Sequence, residues 1–350
     1  MDDIQEKNIQ PDLKSMYREE LESWVKEKGQ PAFRAKQLFE WFHKKYAATT
    51  EEMTNIPKLL RKAVDDEGFT SITEELRQES KKDGTIKFLY RMPDGQMIES
   101  VFMRYDYGNS ICISSQAGCR MGCKFCASTI GGLHRNLTAS EMLEQVYATM
   151  RATGERISNI VVMGTGEPLD NYDNLLRFIR LISCEEGYNI SQRNITVSSC
   201  GIVPQIRRLA DEDLTITFAL SLHATTDEER KNLMPIANSY GLKETIDACR
   251  YYFEKTKRRV TFEYSMVKGI NDSTDHAKRL AALLKGINCH VNLIPVNPVT
   301  ERDYKRSDSA SVEKFKLTLE KNSINSTIRK SMGSDIDAAC GQLRRKYTDK

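Results

Sequence analysis

Three cysteines, Cys119, Cys123 and Cys126, stand close together in the run Ser115-Gln-Ala-Gly-Cys-Arg-Met-Gly-Cys-Lys-Phe-Cys-Ala-Ser128. Their spacing is C-x3-C-x2-C. Three thiolates on one short loop can hold a four-iron cluster and leave one iron without a protein ligand. Such an iron can do chemistry as well as pass electrons. Gly118 and Gly122 give the loop the backbone freedom to wrap a bulky group. The competing use of the same residues is a structural zinc ion with His134 as fourth ligand. Zinc sites usually pair their ligands as C-x2-C twice, and no second pair is present, so the spacing favours an iron–sulfur cluster.

The chain around this loop has 350 residues, nine cysteines, 39% hydrophobic content and a net charge of +3. That is enough apolar material for one large domain and a smaller one. No apolar run reaches membrane-spanning length, and the N-terminus Met1-Asp-Asp-Ile-Gln-Glu-Lys7 is charged and lacks a signal core. A cytoplasmic protein without a membrane partner is expected. Nine cysteines in a reducing compartment point to metal ligands or reactive thiols rather than disulfides. The scattered Cys184, Cys249 and Cys289 read as small buried hydrophobes. Charge is uneven: the C-terminal part is basic, with runs at Lys255-Thr-Lys-Arg-Arg259 and Arg344-Arg-Lys346, which are candidate RNA contacts or merely solvated faces.

The elements that must position the cysteines follow from periodicity. Residues 13–69 carry apolar positions at helical spacing, with Gly29-Gln-Pro31 and Pro57 as breaks, and read as a small helical bundle. Thr85–Tyr90 and Met97–Met103 flank the turn Pro93-Asp-Gly95 and read as a hairpin. From residue 110 strands and helices alternate. Expected strands are Ser110–Ser114, Ile160–Met163, Ile195–Ser198, Thr215–Leu220, Val260–Met266 and Val291–Ile294. Expected helices are Ser140–Thr153, Asp173–Cys184, Pro204–Ala210, Lys243–Lys257 and Ser273–Leu284, the first opened by a capping box from Thr138 to Glu141. Six βα units are too few for a closed eight-stranded barrel, so an α/β fold with a partial, open (βα)6 barrel is predicted.

On that reading the unusual residues all follow strands. The cysteine loop follows the first, Gly164-Thr-Gly-Glu-Pro-Leu169 the second, Ser198-Ser-Cys-Gly201 the third, Ser221-Leu-His223 the fourth, Asn271 the fifth and Pro295-Val-Asn297 the sixth. C-terminal strand ends are where α/β barrels build active sites. Singly, each of these residues has a bland reading as a loop or structural group; their shared placement is the signal.

The run Cys112-Ile-Ser-Ser-Gln-x-Gly-Cys-x3-Cys-x-Phe-Cys-Ala127, with Gly-Thr-Gly-Glu-Pro-Leu, Ser-Leu-His and Gly333-Ser-Asp-Ile-Asp-Ala-Ala-Cys-Gly-Gln-Leu343, resembles the RlmN/Cfr family of radical-SAM RNA adenine methyltransferases. The resemblance runs from about Glu99 to Leu343, and the helical N-terminus suits it. It implies one [4Fe-4S] cluster on Cys119, Cys123 and Cys126. It implies S-adenosylmethionine (SAM) held by Gly166, Glu167, Ser198, Ser221, Leu222, His223 and Asn297. It also implies three catalytic residues: Cys340 as methyl carrier, Cys112 as second catalytic cysteine, and Glu99 as proton-handling carboxylate.

The domains implied are a helical RNA-binding domain (1–69), a β-hairpin connector (70–104), the radical-SAM core barrel (105–339) and a catalytic tail (340–350). The implied reaction methylates C2 of adenine, an electron-poor carbon that cannot attack the SAM methyl directly. Cys340 takes a methyl from one SAM as a thiolate. A second SAM yields a 5′-deoxyadenosyl radical that takes hydrogen from the S-methyl group. The carbon then joins C2, and Cys112 takes the C2 proton and pairs with Cys340 in a disulfide. Implied partners are 23S rRNA, tRNA, a flavodoxin- or ferredoxin-like electron donor and a thiol reductant, with the enzyme a monomer. Rival readings are C8 methylation of the rRNA adenine, a zinc-stabilised RNA-binding module, and a radical-SAM enzyme acting on a peptide or metabolite.

Overall fold

The computed structural model describes residues 12–296, 304–330, 332–336, 343 and 347. Asn297, Cys340 and the basic run 344–346 lie outside the described residues. The N-terminal segment forms α1 (Arg18–Glu27), α2 (Phe33–His43) and α3 (Lys58–Glu67). Glu20 caps the first by accepting from the Tyr17 amide at 2.6 Å. Leu21, Val25, Leu38, Phe42, Leu60 and Val64 point inward and join the main core, so these helices do not form a separate bundle.

Four antiparallel strands follow: β1 (Thr73–Glu79), β2 (Ile86–Arg91), β3 (Met97–Tyr105) and β4 (Gly108–Ile113). A two-stranded ribbon, β5 (Gln116–Gly118) and β6 (Leu133–Asn136), then encloses the cysteine loop. Next come α4 (Ala139–Thr153), β7 (Asn159–Val162), α5 (Tyr172–Ile182), β8 (Ile195–Ser199), α6 (Val203–Ala210) and β9 (Thr217–Ser221). The chain continues through α7 (Asp227–Leu233), α8 (Leu242–Thr256), β10 (Val260–Met266), α9 (Thr274–Leu284), β11 (Cys289–Pro295), α10 (Ser309–Lys321) and β12 (Ser326–Ile328). The Thr138 capping box is formed: Thr138 Oγ1 accepts from the Glu141 amide at 3.3 Å and Glu141 accepts from the Thr138 amide at 2.9 Å.

Strands β4, β7, β8, β9, β10, β11 and β12 are parallel and lie side by side in chain order. Sequential order with right-handed crossovers puts every helix on one face, and the sheet curls around the other. This is the partial barrel expected, with six βα units and β12 as a seventh parallel strand. Parity decides what each face carries. Ile111, Ile113, Ile160, Val162, Ile195, Val197, Phe218, Leu220, Phe262, Val291 and Leu293 are fully buried under the helices. The opposite parity faces the barrel interior and is largely polar.

Two features differ from the hairpin expected at 70–104. A third strand, β1, pairs antiparallel with β2, and β3 pairs antiparallel with β4, so the segment extends the barrel sheet rather than linking two units. β1, Thr-Glu-Glu-Leu-Arg-Gln-Glu, is an exposed edge strand, and its charges hide the alternation that marks a half-buried one. The N-terminal helices dock on α4 and α5. Lys14 Nζ reaches Glu144 Oε1 at 2.5 Å with both side chains fully buried, and Arg151 holds the other Glu144 oxygen at 2.8 Å. The His43 ring stands 3.1 Å from the Tyr147 hydroxyl.

Candidate active site

Strand register places the interior residues. Lys87 on β2 is opposite Val101 on β3, which is opposite Cys112 on β4, which is opposite Val161 and then Thr196. Glu99, two residues before Val101, shares that face, as does Ser198, two after Thr196. Ser198 leads across to Ala219; two residues on, Ser221 is opposite Glu263, then Asn292, then Thr327. Glu99, Cys112, Ser198 and Ser221 therefore line one interior wall. Ser198 Oγ and Ser221 Oγ are 3.3 Å apart.

Periodicity also reveals interior residues that motif reading passed over. Lys87 Nζ is 2.9 Å from Glu99 Oε2, and the pair is shut from solvent. Asn292 Nδ2 donates to Glu263 Oε2 at 2.9 Å; burial pushes the Glu263 carboxyl up, against the pull of Arg329 and Asn292. For Glu263 and Asn292 the available signal is polar residues at alternate positions of central parallel strands, because such strands are usually apolar on both faces; Lys87, on antiparallel β2, has no such signal. Burial raises the Cys112 thiol, which Arg329 and Lys87 oppose and Glu99 reinforces, so the resting side chain is protonated.

The cysteine loop closes the top of this wall. Gly118 has φ +84°, and a Cβ there would sit 2.1 Å from the Gly132 carbonyl oxygen, so only glycine allows β5 and β6 to meet. The Cys119 amide donates to Gly132 O at 2.9 Å. Thr129 Oγ1 donates to the carbonyls of Cys123 and Cys126 at 3.2 and 2.9 Å. The Lys124 amide donates to Leu233 O at the end of α7, at 2.9 Å. Cys123 packs with Cys200, Leu233 and Met234, flanked by Phe125 and Cys126. Burial pushes the Cys119 thiol up to about 12 and Cys123 further in the same direction.

Among the described residues no three His, Cys, Asp or Glu side chains are arranged around one metal ion. A four-iron cluster spreads its thiolate ligands over different irons, so two buried thiols and the half-buried Cys126 on a backbone-pinned loop fit it without converging on a point. His134 is exposed on β6.

The loop Gly164–Leu169 lies directly on the segment Ile113–Gln116. A Cβ on Gly164 would sit 2.6 Å from Ile113 O, and one on Gly166 2.7 Å from Gln116 Cβ. Gln116 ties the two segments by accepting from the Glu167 amide at 2.8 Å. The Glu167 carboxylate is buried and accepts from the amides of Cys200 at 2.7 Å and Leu169 at 3.1 Å. Burial raises its carboxyl, against these hydrogen bonds. The side chains of Ser199 and Cys200 also hydrogen-bond this carboxylate.

Leu222 is fully buried and bonds through its amide to Glu263 O at 3.0 Å, so any ligand contact there is through backbone or apolar surface. His223 sits at φ +58°, and its Nδ1 accepts from the Ser265 amide at 2.9 Å. Burial and, second, Arg230 depress its pKa to about 3, so the ring is neutral with its proton on Nε2. Its ring meets Phe125 edge to face at 4.9 Å, beside the cysteine loop. Asn271 is committed to structure: it donates to the carbonyls of His223 and Ser265 and accepts from Val267 N, each at 2.8 Å. The basic run Lys255–Arg259 ends α8 and enters β10, at the strand starts, away from the loops that carry the site.

The profile of the Radical SAM superfamily matches residues 113–281, and that of the ribosomal RNA large subunit methyltransferase N-terminal domain matches residues 11–67. The chain is 60% identical to the probable dual-specificity RNA methyltransferase RlmN of Lachnoclostridium phytofermentans, over 97% of this chain and 96% of that one. It is 55% identical to the protein of the same name from Clostridium perfringens strain 13, over 94% and 95%. The crystal structure of a radical SAM methyltransferase from Sphaerobacter thermophilus superposes with a TM-score of 0.91 at 43% identity, covering 95% of this chain and 98% of the other. The matches run through the helical N-terminus, the cysteine loop and the whole partial barrel, and the chain belongs to the RlmN family of radical-SAM RNA methyltransferases.

Proposed function

We propose that this enzyme methylates C2 of adenine in 23S rRNA and in tRNA, on the adenine 3′ to the anticodon, with Cys340 carrying the carbon. The observation that carries the reading is the interior wall on which Lys87–Glu99, Cys112, Ser198 and Ser221 stand together beneath the cysteine loop. Cys119, Cys123 and Cys126 would hold a [4Fe-4S] cluster, and Gly166, Glu167, Ser198, Ser221, Leu222, His223 and Asn297 would hold SAM. When bound, these groups supply the methyl carbon and the one-electron chemistry that an electron-poor C2 requires.

The chain's own residues do the rest. Glu167, a buried carboxylate at a strand end, is suited by its charge to a ligand ammonium. Ser198 and Ser221 offer hydroxyls from adjacent strand ends. Neutral His223 offers an Nε2–H donor. Once carbon links Cys340 to the RNA, the adduct must lose the C2 proton and one electron, and the electron would pass to the one-electron cofactor held by the cysteine loop. After Glu99, on the same face, has relayed away the Cys112 thiol proton, the Cys112 thiolate takes the C2 proton and hands it on by the same route. The Cys112 thiolate attacks the Cys340 sulfur. The S–C bond breaks, its electron pair stays on carbon, and protonation completes the methyl group. The Cys112–Cys340 disulfide is then reduced by an external thiol.

A target adenine must be unstacked to enter the barrel. The helical segment 1–69 would grip RNA by shape and phosphate. The proposed setting is the cytoplasm, with a flavodoxin- or ferredoxin-like donor and a monomeric enzyme. The test is anaerobic incubation with SAM, reductant and 23S rRNA fragments, followed by nucleoside mass spectrometry. 2-Methyladenosine is expected; 8-methyladenosine or no product overturns the assignment. Cys340→Ala should abolish methylation with iron content unchanged, and Cys112→Ala should accumulate a covalent protein–RNA species.

A further inference from the structure

Among the described residues, a fully buried cation stands without a carboxylate bonded to it. Arg230 lies on α7, in Asp227-Glu-Glu-Arg-Lys-Asn-Leu233. Leu233 and Met234, three and four residues on, pack with Cys123 and Cys200, and the Leu233 carbonyl holds the Lys124 amide. That spacing puts Arg230 on the face of the helix that meets the cysteine loop. Arg230 Nη2 donates to Cys200 O at 2.6 Å and to Ser221 O at 3.5 Å. Its Nε and Nη1 groups have no acceptor among the described residues. Gly201 makes the room, because a Cβ there would sit 3.0 Å from Nη2.

Arginine keeps its charge inside proteins. A buried charge is costly unless an opposite charge or a bound ion stands beside it. The nearby acids are engaged elsewhere. Asp227 Oδ1 accepts from the Leu242 amide at 2.6 Å, and Glu167 takes its hydrogen bonds from Cys200, Ser199 and Leu169. Burial works against the Arg230 charge; the Cys200 and Cys123 thiols favour it most, and Asp227 less.

We propose that Arg230 is the internal counter-cation of the cysteine loop, a positioning residue that raises the reduction potential of the cluster Cys119, Cys123 and Cys126 would hold. The proposal rests on the reading of those three thiols as cluster ligands. A four-iron cluster on three thiolates is a net anion, and one electron from the flavodoxin- or ferredoxin-like donor adds a further negative charge. Net charge and hydrogen bonding around the sulfurs set such potentials. A fixed cation in a site closed to water favours the more negative form, because little solvent screens it. The electron leaves the donor and stays on iron; no proton moves and no bond forms or breaks.

The experiment is an anaerobic redox titration of the full, cluster-loaded chain without SAM, using dithionite and dye mediators. The reduced cluster is read by electron paramagnetic resonance. Arg230→Met, Arg230→Gln and Arg230→Lys are compared with the unaltered chain, with melting temperature and iron content measured for each. At the unaltered midpoint, the ratio of reduced to oxidised cluster should fall about tenfold or more in the Met and Gln variants. That is a downward shift of about 59 mV or more for one electron. Arg230→Lys, which keeps the charge but not the fork of donors, should stay within about threefold of the unaltered ratio. Loss of iron in both neutral variants with full loading in Arg230→Lys supports the same role, since Lys alone keeps the charge. Unchanged midpoints in the neutral variants, a shift in Arg230→Lys as large as theirs, or iron loss in all three overturns the inference. Failure of the cluster reading shows separately, as an unaltered chain that loads no four-iron cluster.

Discussion

At the scale of single residues, the interior is organised by charge as well as by thiols. Lys87 and Glu99 form an ion pair shut from solvent on adjacent strands. Removing one partner of such a pair leaves an uncompensated buried charge, at a cost of about 3–5 kcal/mol. Lys87→Met should therefore destabilise the protein by about that amount in urea unfolding, while Lys87→Met with Glu99→Gln should recover a large part of it. A double-variant loss equal to the sum of the single losses would show that the two side chains do not act as a pair. Neither residue stands in a recognisable motif. Glu99 is legible only through the family resemblance, and Lys87 only after β2 and β3 are set in register. By contrast Cys119, Cys123 and Cys126 declare themselves, because their neighbours in sequence are also their neighbours in space.

Among the elements, the ribbon β5–β6 is the part most exposed to a single change. Its two strands meet at Gly118, where a Cβ would collide with the Gly132 carbonyl and where φ is +84°. Gly118→Ala must separate the strands that carry Cys119, whose amide bonds that same carbonyl. Iron content after anaerobic reconstitution should fall below about half of the unaltered level, the strain being of order 1–3 kcal/mol before the clash is added. Full iron loading in this variant would mean that the ribbon does not hold the loop. The main barrel strands and helices are legible from the sequence to within a few residues, because each apolar stripe is local. β1, β12, α7 and α10 are not: β1 is charged on both faces, β12 has three residues, the helix α7 is short and polar, and α10 buries only Val312, Phe315 and Leu319. α7 nonetheless pins the cysteine loop through Leu233 O and places Arg230, whose Nη2 donates to Cys200 O at 2.6 Å.

For the whole molecule, the helical N-terminus and the barrel share one core, and acid should test that junction. Burial, and next Lys14, depress the His43 pKa from 6.5 to about 3. Burial and Arg230 do the same to His223. Below pH 6.5 the unfolded chain binds protons that these folded imidazoles refuse. Their stabilisation is whole above about 6.5 and is lost as pH falls toward 3, at about 1.4 kcal/mol per pH unit for each ring. Asp12 acts in the opposite sense. Burial raises its carboxyl from 3.8 to about 6 despite Lys14, so between those values the folded state takes up the proton and offsets one imidazole. His43→Gln should flatten the fall in stability between pH 6 and 4.5 by about one proton, measured by urea unfolding across that range. An unchanged slope would place His43 in contact with solvent.

By itself the sequence determined the local chemistry: the cysteine loop, the glycine turns that let Gly164–Leu169 lie on Ile113–Gln116, and the alternation of strands and helices that makes a partial barrel. These depend on near neighbours along the chain. Tertiary structure alone decided which strand ends share a wall, that Lys87 and Glu263 face its interior, and that β1–β3 extend the barrel sheet. It also decided that Gly333 and Asp335 meet the β1–β2 turn and that Leu343 packs on Leu89 and Met97. Pairing Ser80 with Asp335 or Leu89 with Leu343 spans most of the chain. Such contacts arise from strand register and sheet curvature, which no short stretch of sequence encodes.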